Sequence, residues 1–166
     1  MKVAIISDLH DNLVNLEKCL IWCKTNNIQE IICCGDVTTV DTLSFLSSRF
    51  SNTIHLARGN MEIFYNEEVE QFPNIKYYGR AGGIFNIGDK KIGICHEPYL
   101  INGLLSDNPD IIFYGHTHKP WIEEKNNIKI VNSGTLAGMF NKATFAFWDT
   151  DKDKLELKIL ENLDVK

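Results

Sequence analysis

Five apolar runs rich in β-branched residues, at 3–7, 30–34, 53–57, 90–95 and 110–114, each stop at a glycine or a polar side chain. Runs of this length and composition read as buried strands. Residues 13–27 intervene between the first two and carry Leu13, Leu16, Leu20 and Cys23 at helical spacing. Segments 41–50 and 61–72 repeat that spacing more loosely. Strand, helix, strand, helix, strand dictates a layered α/β arrangement.

The second half of the chain changes character. Gly88-Asp89 and Asn126-Asn127 each separate two apolar runs, which is a hairpin signal, and the tail alternates on both sides of an Asp/Lys turn. The glycine-rich stretch 79–85 lacks the spacing of a phosphate-binding loop and opens no helix, so it reads as a loop. These signals imply a mixed sheet, or two stacked sheets, covered by helices, in one domain spanning 1–166.

Composition excludes several classes. No window approaches the roughly 20 apolar residues of a membrane span, and no leader is expected at the N-terminus, which points to the cytoplasm. Five cysteines without extracellular context imply reduced thiols. Cys33 and Cys34, adjacent on one strand, face opposite ways and read as small buried hydrophobes rather than metal ligands. A formal net charge of -5 and the absence of a Lys/Arg cluster exclude an extended nucleic-acid surface.

The residues just past each run carry the chemistry. Asp8 and His10 come after the first, Asp36 after the second, Asn60 after the third, His96 after the fourth, and His116 and His118 after the fifth, in "IIFYGHTHKPW". Strand ends of an α/β sheet converge on the crevice where ligands bind. Singly, Asp8 could cap the helix from Leu13, Asp36 could be a turn residue and Asn60 could be the N-cap of a helix from Met61. Jointly, four of the five histidines lie at strand ends. The fifth, His55, falls inside a run and reads as a packed residue.

In this order "SDLHDN", "GD", "RGN", "H", "GHTH" and "NSGT" resemble the motifs of the calcineurin-like metallophosphoesterases, and most closely their small bacterial and archaeal phosphodiesterases. The resemblance implies a four-layer α/β/β/α sandwich of two mixed sheets flanked by helices. It implies two divalent ions, one held by Asp8, His10, Asp36 and His118, the other by Asp36, Asn60, His96 and His116, with Asp36 bridging. Mixed imidazole, carboxylate and amide donors suit Mn²⁺ first, with Ni²⁺, Fe²⁺ or Zn²⁺ as alternatives. Two ions roughly 3.5 to 4 Å apart would clamp the attacking and leaving oxygens and generate a metal hydroxide as nucleophile, with Asp36, Asn60 and His96 in the catalytic set. With two dications, two aspartates and that hydroxide the site carries about +1, which draws in an anionic diester.

Three positions depart from the family pattern. Met61 stands where relatives carry Cys or His and cannot protonate a leaving group. Glu97 and Pro98 replace the usual Gly after His96, and Ser133 replaces a turn proline. Asn12 and Asp11 are candidates to orient His10 or contact substrate, Arg58 is a candidate phosphate contact or a salt-bridged loop residue, and Glu62 a brace for the Asn60 loop. The expected activity is a metal-dependent phosphodiesterase acting on small substrates. Its rival is a non-catalytic scaffold of the same fold, known from a subunit of a membrane-trafficking coat. Trp121, Phe140 and Trp148 are expected to be exposed and able to form a homodimer surface.

Overall fold

The computed structural model describes residues 1–163. β1 (Lys2–Ile6), β2 (Glu30–Cys33), β3 (Ile54–Leu56) and β4 (Ile75–Tyr77) run parallel in one sheet, which the antiparallel strands β10 (Thr144–Asp149) and β11 (Lys154–Ile159) complete beside β1. The second sheet has the order β5 (Gly83–Ile87), β6 (Lys90–Ile94), β7 (Ile111–Tyr114), β9 (Ile128–Asn132), β8 (Trp121–Lys125). Both sheets are mixed. Helices α1 (Leu13–Thr25) and α2 (Val40–Arg49) cover the first, while α3 (Asn66–Val69) and α4 (Ile101–Leu105) are short. No helix among the described residues is long and apolar enough to cross a membrane.

Side-chain alternation generates the layers. In β1, Ala4 and Ile6 pack outward with Leu16, Cys19, Leu20 and Cys23 of α1, while Val3 and Ile5 face the second sheet and meet Ile92, Phe113 and Trp148. Cys33 joins the helix side and Cys34 the sheet–sheet side, as their adjacency requires. Behind the second sheet Ile112, Tyr114 and Ile130 pack against Leu104 of α4. The result is helix, sheet, sheet, helix.

The hairpin signals act as read. Asn126 and Asn127 hold φ of 54° and 62° between β8 and β9, the left-handed pair of a tight hairpin turn. Four expectations need correction. Residues 61–65 form no helix, because their backbone is engaged elsewhere: the Met61 N–H donates to Asp36 Oδ1, the Ile63 N–H to the Thr38 carbonyl, and the Glu62 carbonyl accepts from Arg58. Helix begins only at Asn66, so Asn60 is not an N-cap. Leu13 lies on the exposed side of the first turn of α1, and Cys19 takes its place on the buried face. Within 79–85, residues from Gly83 onward are strand, because Gly83 pairs with Ile94 across the hairpin. Trp148 is not exposed but 2% accessible, in the middle of the sheet–sheet core.

Candidate metal centre

β1, β2 and β3 in one sheet and β6 and β7 in the other end at the same edge of the sandwich, and the loops leaving them are bonded to one another. The Asp36 carbonyl accepts from the N–H groups of Leu9 and His10, the Asp8 N–H donates to the Gly35 carbonyl, and the Gly115 N–H donates to the His96 carbonyl. Space between the loops is minimal. A Cβ on Gly59 would collide with the Asp36 carboxylate, and one on Gly115 with Ser7 and Asp8, so glycine is required beside both aspartates.

All seven strand-end residues come together. His10 Nε2 and His118 Nε2 lie 3.2 Å apart, and Asp8 Oδ1 is 3.0 Å from His118 Nε2 and 3.8 Å from His10 Nε2. Asp36 Oδ2 is 3.3 Å from His96 Nε2 and 3.8 Å from His10 Nε2, and so faces both halves of the cluster. Asn60 Oδ1 sits 3.1 Å from His96 Nε2 and 2.9 Å from His116 Nδ1. Five of the seven, Asp8, His10, Asp36, His116 and His118, have φ between 43° and 69°. Left-handed backbone at non-glycine residues is costly and concentrates at functional sites.

Three of the donors are held by their other end. His96 Nδ1–H donates to the Cys34 carbonyl at 2.7 Å, which presents Nε2 to the cluster. The His116 N–H fixes Asp8 Oδ2 at 3.0 Å, and the Met61 N–H fixes Asp36 Oδ1 at 2.9 Å. The remaining carboxylate oxygens point at imidazoles. Burial raises the pKa of Asp8, against the pull of His96. Burial acts on Asp36 in the same sense, but its contacts with His96 and the Met61 N–H outweigh it and lower its pKa. His96 is raised, since Asp36 overcomes the burial that opposes its charge.

Asp8 Oδ1 is buried and has no hydrogen-bond donor. Carboxylates without a donor, facing imidazole nitrogens, are the donor set a divalent cation satisfies, and burying them without one is unfavourable. Two such groups form, Asp8 with His10 and His118, and Asp8 with Asp36 and His96. Each group presents the donors that a divalent metal ion takes.

The other residues singled out in the sequence are each held by groups of the protein itself. Asn12 caps α1: its Oδ1 accepts from the Asn15 N–H and its Nδ2 donates to the Ala137 carbonyl. Asp11 Oδ1 accepts from the Thr39 N–H and from the hydroxyls of Thr39 and Thr42, so it ties the His10 loop to the start of α2. Arg58 donates to the Glu62 carbonyl and lies over the Phe64 ring, bracing the loop after Asn60. Glu62 accepts from the Val37 N–H within that brace. Buried Glu97 pairs with Arg80 at 2.6 Å. His55 is packed between Glu30 and Tyr78, 2.8 Å from each.

Sequence reasoning missed Asn132. Its amide donates to the Gly115 carbonyl and the Thr117 hydroxyl, and its Oδ1 accepts from the Gly134 N–H, which stiffens the segment carrying His116 and His118. Thr135 and Ala137 both donate to the Asp8 carbonyl. The signal for it was its place in "NSGT", a strand-end stretch that is also part of the family pattern.

Residues 1–153 match the calcineurin-like phosphoesterase superfamily domain. A phosphodiesterase of Methanocaldococcus jannaschii is 26% identical over 97% of this chain and 100% of its own length. Among solved structures, an archaeal phosphodiesterase superposes with a TM-score of 0.86 at 23% identity, covering 96% of this chain and 99% of that one. Zinc-complexed Vps29 of Entamoeba histolytica superposes at 0.69 with 19% identity, over 95% and 90%.

Proposed function

Because this chain belongs to the calcineurin-like phosphoesterase superfamily, we propose that it is a binuclear metal-dependent phosphodiesterase of small substrates, working in the cytoplasm. One observation carries the reading: Asp36 Oδ2 faces both halves of the cluster, 3.8 Å from His10 and 3.3 Å from His96, beside the buried Asp8 Oδ1 that has no hydrogen-bond donor. Asp8, His10, Asp36 and His118 would hold one ion and Asp36, Asn60, His96 and His116 the other. Manganese is the ion we favour, with nickel, iron and zinc as alternatives. Bound there, the ions supply Lewis-acid charge at the phosphoryl oxygens and a water acidic enough to attack at neutral pH.

The chain's own groups set the stage for an in-line displacement. Backbone N–H groups of His116 and Met61 hold one oxygen of each aspartate, so the other oxygens keep their direction when an anion arrives. The Cys34 carbonyl fixes the His96 tautomer. The thioether of Met61 offers no proton to the departing oxygen, so esters of acidic alcohols or phenols leave fastest. Asn12 and Arg58 act on the substrate indirectly, through the loops they hold.

The test is hydrolysis of bis-p-nitrophenyl phosphate by chelator-stripped protein before and after Mn²⁺ is added, beside p-nitrophenyl phosphate and the Asp36→Asn variant. We expect metal-restored cleavage of the diester, weak cleavage of the monoester, and a loss of about a hundredfold or more in the variant with its circular dichroism unchanged. Equal turnover by the variant would sink the proposal. Likeness to Vps29 supports a second reading, a non-catalytic scaffold, which predicts metal uptake without turnover. Exposed Trp121 on the edge strand β8 supports association into a homodimer, which sedimentation tests.

A further inference from the structure

A groove of about 810 Å³ runs between α1, the loop at 137–143 and the turn at Leu160–Glu161. Its near end is fixed to the ligand cluster. The Ala137 N–H donates to the Asp8 carbonyl at 2.9 Å, and the Asn141 amide donates to the His118 carbonyl at 3.4 Å. From the α1 side, the Asn12 and Asn15 amides both donate to the Ala137 carbonyl. A molecule with its phosphorus against the cluster therefore has this groove beside it.

Three groups give the groove its chemistry. Phe140 is 94% exposed and holds a φ of 64°. Both features oppose folding, since a phenyl ring gains by burial and a bulky residue resists left-handed backbone. What the arrangement provides is an open aromatic face. Lys18 projects from the second turn of α1, exposed, and makes no hydrogen bond or ion pair among the described residues. Lys142, across the groove, is neutralised by Glu161. One aromatic face and one unpaired ammonium match a planar ring carrying one further anionic group. A single free cation is too little for a polymer backbone, in keeping with the net charge of -5.

We propose that the groove seats one ester arm of the substrate and that this arm is a nucleotide, its base stacked on Phe140 and its second phosphate paired with Lys18. The proposal takes the bond that is cleaved from the phosphodiesterase reading, but the binding it asserts is independent of turnover.

Three p-nitrophenyl esters share one leaving group and differ in the retained arm: methyl p-nitrophenyl phosphate, thymidine 5′-(p-nitrophenyl phosphate), and the same compound with a 3′-phosphate. On the manganese-loaded protein kcat/KM should rise along that series, by about tenfold for the ring, within the range of base–aromatic stacking. Phe140→Ala should collapse the ratio of the thymidine to the methyl ester, and Lys18→Glu only the ratio between the two thymidine compounds. Calorimetric binding of thymidine 3′,5′-bisphosphate supplies the second readout, with Kd weakened about tenfold by either substitution. A flat series, or ratios and Kd values that both substitutions leave intact, overturns the groove assignment. Should none of the esters be cleaved, the phosphodiesterase reading falls, and the calorimetry alone decides the groove.

Discussion

His55 and the ligand histidines show how much of a titratable residue's behaviour is set by its neighbours. His55 stacks on Phe85 at 3.8 Å, with Nε2–H donating to Glu30 and Nδ1 accepting from the Tyr78 hydroxyl. Burial lowers its pKa below the usual 6.5, although Glu30 pulls the other way. The unfolded chain then takes up a proton near pH 6.5 that the folded chain refuses. Stability contributed by neutral His55 is therefore whole above pH 6.5 and falls as the pH drops through the window just below it. Urea midpoints at pH 7.5 and 5.5 should differ more in the wild type than in His55→Gln; equal differences would refute the assignment. The candidate ligands Asp8, His10, Asp36, Asn60, His96, His116 and His118 are legible in the sequence because each comes just after an apolar run and the motif order is specific. It does not show that the amide and guanidinium of Asn12 and Arg58 are engaged by the protein, because hydrogen-bond partners distant along the chain leave no local pattern.

Helix starts are where the elements and the site meet. Asp11, directly after the His10 ligand, accepts three hydrogen bonds from Thr39 and Thr42 at the beginning of α2. Asp11→Ala should lower stability by about 1 to 3 kcal/mol, because buried Thr42 and half-buried Thr39 lose a charged acceptor, and should loosen the His10 loop. A melting temperature equal to the wild type would contradict this. The strands were legible because period-2 alternation and β-branched composition survive in any context. The segment 61–65 was not: its helical spacing is real, but the tertiary bonds to Asp36 and Thr38 take the N–H groups of Met61 and Ile63. Strand edge β8 and the loops around Met61 and Phe140 carry much of the exposed apolar surface, close in sequence to ligands or bonded to them.

At the scale of the molecule, two sheets bury an apolar layer between them, and their strand ends converge at one edge. Trp148 lies in that layer, 5.8 Å from the Phe113 ring. Trp148→Ala should cost about 3 to 5 kcal/mol, read as a fall in the urea midpoint, and a change no larger than the ~0.5 kcal/mol scatter of surface positions would show that the ring contributes little to the layer. The hydrophobic layers are complete without the ligand cluster, so stripping the metal should leave the circular dichroism intact. Restoring it at a hundred times Kd should add about 2.7 kcal/mol for each ion, seen as a rise in melting temperature; no rise would mean that no ion binds the folded chain. Local alternation, composition and motif order were enough for the layered α/β class, for every strand but β4 (Ile75–Tyr77) and for the candidate ligand set. Long-range contacts settled the burial of Trp148, the irregular course of residues 61–65, the brace that Asn132 gives the His116–His118 segment, and the groove that Phe140 and Lys18 share beside it. Those outcomes depend on which distant groups meet in space, and spacing along the chain does not encode that.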